Sequence, residues 1–261
     1  MTIIIPAYNE VSTIRQILDA VAGAEYPKQI IVVDDGSTDG TPEAVCNWIE
    51  ANETSVELLR HPRNLGKGTA IRSGLEHARG LVTLIQDADL EYNPGDYPKL
   101  VGPILDGRAQ VVYGSRYLRN DVSLPWTPNR ICVYFLNFIV RILYGIRVTD
   151  EATCYKAFRT TLLRSLDLRC ERFEFCPEVT AKVGRLGLTI LEVPICYRPR
   201  SHGDGKKIRW YDGLEAVATL LRWRVVSFRP AVNFPRVSDP SRATEVRPAS
   251  EDTEKVAIAR P

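Results

Sequence analysis

The chain has 261 residues, a formal net charge of +2 and an apolar content of 44%, which suits one large α/β domain or two small ones of ordinary globular composition. The small net charge gives no indication of a nucleic-acid partner, and none is expected. The six cysteines lack zinc-ligand spacing, which excludes the common zinc motifs and, with no signal peptide at the start, favours a reduced, cytosolic protein. The longest uncharged apolar run, residues 131–140, is too short for a membrane-spanning helix, which needs about 20 residues.

Strands and helices are predicted to alternate through the first 86 residues. Short β-branched and apolar runs predict strands at 2–5, 29–33, 56–59 and 81–86. Helical spacing of apolar residues predicts helices at 11–22, from Thr41 onward and from Gly68 onward. Pro6 is expected to end the first strand, and Pro42 to open the second helix. The alternation favours a mostly parallel sheet built from βαβ units.

Residues 81–92 begin as an apolar run and end in Asp87, Asp89 and Glu91. If the extended geometry continued that far, alternation would place the three carboxylates on one side of the chain. Converging carboxylates repel each other, and a hard divalent cation relieves that repulsion. The pattern therefore predicts a metal site at a strand end. The alternative is a polar loop in which an aspartate caps the next element.

Other polar residues follow the neighbouring predicted strands. Tyr8 follows the first strand, and Asp34 and Asp35 follow the second. In open parallel sheets, ligands bind beyond the carboxyl ends of the strands. These residues and the acidic run are therefore expected to share one site.

Three other nucleotide-binding patterns fit less well. A dinucleotide fingerprint would need glycine where Ile71 stands, and the loop follows the third strand instead of the first. A P-loop would need serine or threonine after Lys206, where Lys207 stands. The adjacent Asp34 and Asp35 suggest a receiver-type acid pocket, but that leaves the second acidic run unexplained.

Taken in order, several segments resemble the signatures of the family 2 glycosyltransferases. They are residues 3–10, 33–37, 64–68 and 87–89, and residues 113–116 extend the match. Within that family the chain is most similar, over about residues 2–225, to the dolichyl- and polyprenyl-phosphate sugar transferases such as dolichyl-phosphate mannosyltransferase. The resemblance implies an α/β GT-A (Rossmann-like) fold, a mostly parallel sheet with flanking helices. It also implies a nucleotide-diphosphate sugar donor (GDP- or UDP-sugar) and Mg²⁺ or Mn²⁺.

The resemblance assigns roles on the donor side. The residues expected to bind the donor are Pro6, Tyr8, Glu10, Asp35, Lys67 and Asp87, with the base and ribose lined by the first four. The expected metal ligands are Asp87, Asp89 and Glu91, and Asp89 is also expected to be catalytic. Relatives often have glutamine where Glu91 stands. For Pro6 and Tyr8 the alternative is a strand end with a packed tyrosine.

The implied reaction is direct displacement at the anomeric carbon with inversion, in which the metal stabilises the departing diphosphate. A phosphate acceptor is already anionic and needs positioning more than a base, whereas a hydroxyl acceptor needs one. Glu178 is the candidate base. Its alternative is a first-turn carboxylate that complements a helix dipole.

The resemblance divides the domain, residues 1–228, into a nucleotide-sugar part (1–115) and an acceptor part (116–228). Arg116, Arg130 and Arg200 are expected to bind the lipid phosphate, because a guanidinium pairs well with phosphate oxygens, and Arg116 is also placed among the catalytic residues. Lys206 lies in the basic stretch 197–210 and is expected to assist. For any single arginine the alternative is a solvated surface residue. Residues 229–261 are expected to form a disordered tail.

Residues 129–147 mix apolar residues with arginine and predict an amphipathic helix suited to a membrane surface, and residues 214–228 predict a second. The alternative is packing on the core. The leading hypothesis is a transferase acting on a polyprenyl phosphate (dolichyl or undecaprenyl), peripheral on the cytoplasmic face of a membrane. The alternatives are transfer to a non-lipid hydroxyl and a non-catalytic nucleotide-sugar-binding subunit.

Overall fold

The computed structural model describes residues 1–52, 54–118, 128–199, 210–228 and 230. Within them, seven strands form one sheet: β1 (Thr2–Ala7), β2 (Gln29–Asp34), β3 (Val56–Arg60), β4 (Val82–Ile85), β5 (Val111–Ser115), β6 (Lys156–Arg159) and β7 (Leu191–Pro194). The helices are α1 (Ile14–Gly23), α2 (Thr41–Ala51), α3 (Lys67–His77), α4 (Tyr97–Leu105), α5 (Pro128–Tyr144), α6 (Thr160–Ser165), α7 (Phe175–Arg185) and α8 (Trp210–Val225), and a 3-10 turn spans Pro94–Asp96.

The strand order is β3-β2-β1-β4-β6-β5-β7. The pairs β1–β2, β2–β3, β1–β4 and β5–β7 are parallel, so the predicted mostly parallel α/β sheet is confirmed. The strand β6 runs antiparallel to both of its neighbours, β4 and β5. No sequence signal marked β6 as a strand, because it has only four residues and follows an irregular stretch.

The sheet is covered on both faces, which explains the unbroken β-branched run in β1. Ile4 belongs to one apolar cluster, together with residues of α3, α5 and α7. Ile3 and Ile5 belong to the other cluster, together with residues of α1, α2 and α4. Alternate side chains of one strand thus fill both cores.

Pro6 does not end β1, contrary to the prediction. It lies inside the strand, in register with Val33 of β2, and the strand continues to Ala7. The Ile4 carbonyl accepts from Gln86 on the β4 side and the Ala7 carbonyl accepts on the β2 side, so the nitrogen of Pro6 points toward β4. β4 has already ended there, at Ile85, and the missing N–H is not needed.

Among the described residues, no helix is both long and apolar enough to cross a membrane. Arg200, Lys206 and, apart from Pro230, the predicted tail lie outside the described residues.

Candidate active site

The acidic residues after β4 lie in a tight turn and not on an extended strand, so the predicted alternation to one side is wrong. Buried Gln86 holds the turn, because its amide donates to the carbonyls of Asp87 (3.1 Å) and Tyr92 (3.4 Å). Its Oε1 accepts from the hydroxyl of Tyr97 at 3.0 Å. Leu90 has a φ of 63°, which turns the backbone sharply. The turn, residues 86–91, is called the acidic turn below.

Charge is concentrated on the acidic turn. Burial, together with the nearby charges of Asp87 and Glu91, raises the pKa of Asp89 to about 7. Its Oδ1 also accepts from the backbone N–H of Glu91 at 3.2 Å. A cation placed here would relieve that repulsion and favour the ionised carboxylate.

The predicted three-carboxylate ligand set is not formed. In the described part of the chain, no group of three or more acidic, histidine or cysteine side chains is arranged to hold a metal ion. Asp87 contacts Lys67, and Glu91 accepts from the hydroxyl of Tyr197 at 3.1 Å. The acidic turn therefore offers one or two carboxylates, a number that suits a cation also bound by substrate phosphates.

Lys67 provides a fixed positive charge beside the acidic turn. Its Nζ contacts the carboxylate of Asp87 and lies 3.0 Å from the Sγ of Cys154. Burial alone would lower the pKa of Lys67, but Asp87 and Cys154 outweigh it and raise that pKa well above its ordinary value. The lysine therefore stays charged and offsets the negative charge of Asp87.

The loops that follow β1 and β2 are tied to each other. The backbone N–H of Asn9 donates to Ser37 Oγ, and its side-chain oxygen accepts from the N–H of Thr38, both at 2.9 Å. The N–H of Glu10 donates to Thr41 Oγ1, also at 2.9 Å. These bonds hold the predicted donor residues Pro6, Tyr8 and Glu10 at the same edge of the sheet as the acidic turn.

Asp35 organises a third loop, residues 64–68. One carboxylate oxygen lies 2.7 Å from His61 Nδ1 and accepts from the N–H of Leu65 at 2.9 Å, and the other accepts from the N–H of Gly66 at 2.7 Å. His61 is in turn 3.0 Å from Ser73 Oγ. These bonds show that Asp35 positions the loop. Its carboxylate has further lone pairs that a ligand could use. No motif pointed to His61.

The glycines of these loops allow close backbone approach. Gly36 has a φ of 74°, and a Cβ there would overlap the backbone of Arg63. Gly66 has a φ of 94°, and a Cβ there would overlap the carbonyl of Glu171. In the first turn of α3, the N–H of Gly68 donates to the carbonyl of Arg172 (2.9 Å), and the N–H of Thr69 donates to the carbonyl of Glu171 (3.0 Å). This helix start is thus occupied by protein and does not form a phosphate cradle.

Arg116 follows β5 and forms a bidentate ion pair. Its Nε and Nη2 each lie 2.7 Å from a carboxylate oxygen of Asp150. Its guanidinium lies over the rings of Tyr117 (5.6 Å) and Tyr197 (5.2 Å). Burial opposes the charge, but Asp150 raises the pKa of Arg116 well above its usual range. The charge is therefore permanent and held in one orientation.

Arg130 on α5 lies near Arg116. Its guanidinium lies over the ring of Tyr117 at 5.4 Å, and its Nη2 donates to the hydroxyl of Tyr134 at 3.2 Å. The structure thus brings two of the predicted phosphate-binding arginines to one tyrosine. Arg116 also lines a cavity of about 500 Å³, together with Glu91, Tyr197 and Arg198.

Glu178 lies in the interior and not in the site. Its side chain is 1% exposed, 2.5 Å from Lys182 Nζ, and accepts from the N–H of Arg169 at 2.8 Å. Lys182 lies over the ring of Trp223 at 3.8 Å. The structure gives Glu178 a part in fastening α7 to α8 in place of the predicted role of general base.

Comparison with known proteins identifies the family. The sequence model of the family described as Glycosyl transferase family 2 matches residues 2–167. The chain belongs to glycosyl transferase family 2. This transferase is 32% identical to the undecaprenyl-phosphate mannosyltransferase of Micrococcus luteus, over 84% of this chain and 92% of that protein. It is 26% identical to the dodecaprenyl-phosphate galacturonate synthase of Rhizobium johnstonii, over 79% of this chain and 61% of that longer protein. The predicted family resemblance is confirmed.

Solved structures share the fold of this transferase. It matches glucosyl-3-phosphoglycerate synthase from Mycobacterium tuberculosis, solved with UDP, with a TM-score of 0.65 and 22% identity over 87% of this chain and 80% of that chain. It also matches a mannosyltransferase from Pyrobaculum calidifontis, solved with GDP-Man and Mn²⁺, with a TM-score of 0.59 and 23% identity over 85% of this chain and 62% of that chain. These likenesses confirm the predicted GT-A fold.

Proposed function

We propose that this transferase moves a sugar from a nucleotide-diphosphate sugar to a polyprenyl phosphate, with inversion at the anomeric carbon. The observation that carries the proposal is the placement of Arg116 and Arg130 on one tyrosine, on the acceptor side of the acidic turn. Two neighbouring guanidinium groups suit a phosphate monoester, because each can donate charge-assisted hydrogen bonds to its oxygens. The similarity to polyprenyl-phosphate transferases supports the same acceptor class.

The donor is proposed to bind across the three tied loops. Pro6 and Tyr8 supply half-buried surface for the base, and Asp35 keeps lone pairs for a ring N–H. Lys67 holds Asp87 in place and adds positive charge near the diphosphate.

Asp87 and Asp89 are proposed to hold Mg²⁺ or Mn²⁺. The acidic turn fits such an ion, because burial and the nearby charges of Asp87 and Glu91 raise the pKa of Asp89 to about 7, and a cation would offset both effects. When bound, the cation would neutralise the charge that grows on the leaving diphosphate. Glu91, held by Tyr197, links the acidic turn to the acceptor side and is a third ligand only if that hydrogen bond is given up.

The acceptor phosphate is proposed to lie between Arg116 and Arg130 while an oxygen attacks the anomeric carbon. Because Asp150 fixes the guanidinium plane of Arg116, the phosphate meets a preorganised partner. The acceptor is already anionic, so no general base is needed, in keeping with the buried position of Glu178.

The lipid acceptor also implies a membrane surface. On α5, one face packs on the core while four side chains in helical register point outward: Ile131, Phe135, Phe138 and Ile142, each more than half exposed. Arg141 is exposed on the same helix. We infer peripheral contact through this outer row. The cytoplasmic side is favoured because none of the six cysteines forms a disulfide.

The test is transfer by the purified chain in detergent micelles. Radiolabelled UDP- and GDP-sugars are supplied with Mn²⁺ and, in parallel, undecaprenyl phosphate, undecaprenol or a free saccharide. The proposal predicts label in the extracted lipid with undecaprenyl phosphate alone. Transfer to the saccharide with undecaprenyl phosphate ignored would instead support a hydroxyl acceptor. Donor binding with no transfer in any arm would indicate a non-catalytic binding subunit.

A further inference from the structure

Two cysteines lie at the edge of the donor site, and sugar transfer as proposed makes no use of them. The Sγ of Cys154 is 3.9 Å from the Sγ of Cys176. The same Cys154 sulfur is 3.0 Å from the ammonium of Lys67, which contacts Asp87 of the acidic turn. The thiol pair is therefore one side chain away from the acidic turn.

The two thiols have different surroundings. Cys154 is partly exposed, and the neighbouring ammonium of Lys67 stabilises a thiolate there. A hydrogen bond with Cys176, against the opposing effect of burial, lowers the pKa of Cys154. The same hydrogen bond and burial raise the pKa of Cys176, which is buried at the start of α7. A cysteine with a lowered pKa beside a second thiol is typical of oxidisable sites.

We propose that Cys154 and Cys176 are a peroxide-sensitive modification site, and that a disulfide between them shuts off the transferase. The thiolate of Cys154 attacks one peroxide oxygen, the O–O bond breaks, and the hydroxide released takes a proton to become water. The sulfur of Cys176 then attacks the resulting sulfenic acid, the S–O bond breaks, and a second water leaves with the proton of Cys176. Peroxide gains two electrons, and the two thiols lose them.

The disulfide would disturb the donor site. The two sulfurs must approach from 3.9 Å to the roughly 2.0 Å of an S–S bond, which draws Cys154 toward α7 and away from Lys67. Cys154 also lies four residues after Asp150, the partner of Arg116. A misplacement of about 1 Å in an active site can cost about 10²-fold in rate. We expect the transfer rate to fall about tenfold or more.

Other cysteines of the chain provide controls. Cys46 on α2 and Cys132 on α5 are exposed, so each reports nonspecific oxidation by the same reagent. Burial raises the pKa of Cys170 far above its ordinary value, which makes that thiol inert.

The experiment uses the full chain treated with hydrogen peroxide, alkylated and digested with trypsin without reductant. The expected product joins the peptide 148–156, which contains Cys154, to the peptide 173–182, which contains Cys176. Transfer falls with the same time course and returns on adding dithiothreitol. The variant Cys46→Ser behaves as the wild type does. Cys176→Ser keeps its basal activity, gives no cross-link, and loses activity irreversibly as Cys154 proceeds to the sulfinic acid.

The proposal is overturned if Cys46 and Cys132 are oxidised while the two peptides remain separate. If the cross-link forms and sugar transfer is unchanged, the proposal that the disulfide shuts off the transferase is overturned. The effect on transfer rests on the proposed function, but the peptide map does not. If the untreated chain transfers no sugar, the map alone decides whether the modification site exists.

Discussion

In the metal-free protein, the surroundings of Asp89 disfavour its ionised form. The same surroundings suit a bound cation. Its pKa is raised from 3.8 to about 7 by burial and by two neighbouring carboxylates. Between those pH values the folded state keeps a proton that the unfolded state has lost. The free energy of unfolding contributed by this group therefore falls as pH rises from about 4 to about 7, by at most about 1.4 kcal/mol for each pKa unit.

The substitution Asp89→Asn should raise the stability of the metal-free protein above pH 7. The amide removes the repulsion with Asp87 and Glu91, so we expect the free energy of unfolding to increase by about 1–3 kcal/mol. The same change should abolish the gain in Tm that Mn²⁺ gives the wild type. Thermal unfolding at pH 8 with and without Mn²⁺ measures both effects.

A matched control is Asp106→Asn, which removes a carboxylate that is 58% exposed. This change should alter neither the free energy of unfolding nor the gain in Tm that Mn²⁺ gives. A decrease in metal-free stability for Asp89→Asn would contradict the assignment of charge crowding on the acidic turn.

The substitution Arg130→Gln should weaken binding of the lipid phosphate and leave the fold intact. Arg130 is half-buried, its guanidinium lies over the rings of Tyr117 and Tyr134, and it donates to the hydroxyl of Tyr134. Loss of a charge-assisted hydrogen bond worth about 1.5–3 kcal/mol predicts a rise in KM for polyprenyl phosphate of about ten- to a hundredfold. Steady-state kinetics with varied acceptor tests this. Arg108→Gln, at a 63% exposed side chain, is the charge control, and an equal effect of both changes would refute a specific role.

Sequence patterns indicated some residues of the candidate site and gave no sign of others, for a physical reason. Asp87 and Arg116 stand at strand ends, and strand ends can be predicted from apolar runs. His61 and Asp150 act only through partners distant in sequence, at positions 35 and 116. Such pairings exist only once the sheet has formed. The burial of Glu178 away from the site also depends on the folded structure.

At the scale of elements, the strands and helices of the first half followed the predicted pattern closely, and the loops between them did not. The expected extended path through Glu91 is a turn, because Gln86 closes it with two hydrogen bonds. Gly66 and Gly68 allow the backbone of residues 170–172 to come close, a contact that no sequence pattern indicated. The glycines indicated that the backbone here can take unusual conformations, but not which segment it contacts.

The substitution Gly36→Ala separates backbone strain from backbone contact. Gly36 and Gly107 share a φ of 74°, but a Cβ at Gly36 meets the backbone of Arg63, whereas nothing lies within 4 Å at Gly107. Both changes carry the left-handed penalty of about 1–2 kcal/mol. We expect Gly36→Ala to cost about 2 kcal/mol more than Gly107→Ala, because backbone must move. Denaturant unfolding of both variants measures the difference, and equal losses would show that the loops are not in close contact.

The outer row of α5 should govern membrane binding without governing stability. The combined change Phe135→Ser, Phe138→Ser and Ile142→Ser removes side chains that are 55%, 58% and 65% exposed. Partial burial of each in lipid is worth up to about 1.5–3 kcal/mol, so binding to anionic vesicles should fall about tenfold or more. Vesicle sedimentation measures this, with Leu81→Ser as control at a 77% exposed leucine before β4.

If the triple variant sediments with vesicles as the wild type does, α5 is not the contact surface. A large loss of Tm in that variant would show instead that the row packs on protein.

For the whole molecule, the order of predicted strands, helices and motifs along the chain was enough to predict the fold. Alternating strands and helices predicted the parallel half of the sheet, and the family motifs predicted the GT-A fold that solved relatives share. The antiparallel β6 and the fastening of α7 to α8 by Lys182 depend on contacts across the second half of the chain. The spacing of apolar residues along the chain does not encode such contacts, so the sequence did not indicate them.

We propose that a divalent cation on the acidic turn binds the donor diphosphate together with the protein. Isothermal titration of the wild-type chain with UDP- and GDP-sugars, in Mn²⁺ and then in EDTA, tests this proposal. For the sugar nucleotide that binds best, Kd should rise about a hundredfold in EDTA, which corresponds to about 2.7 kcal/mol of metal-mediated binding. The same Kd in both buffers would contradict the claim.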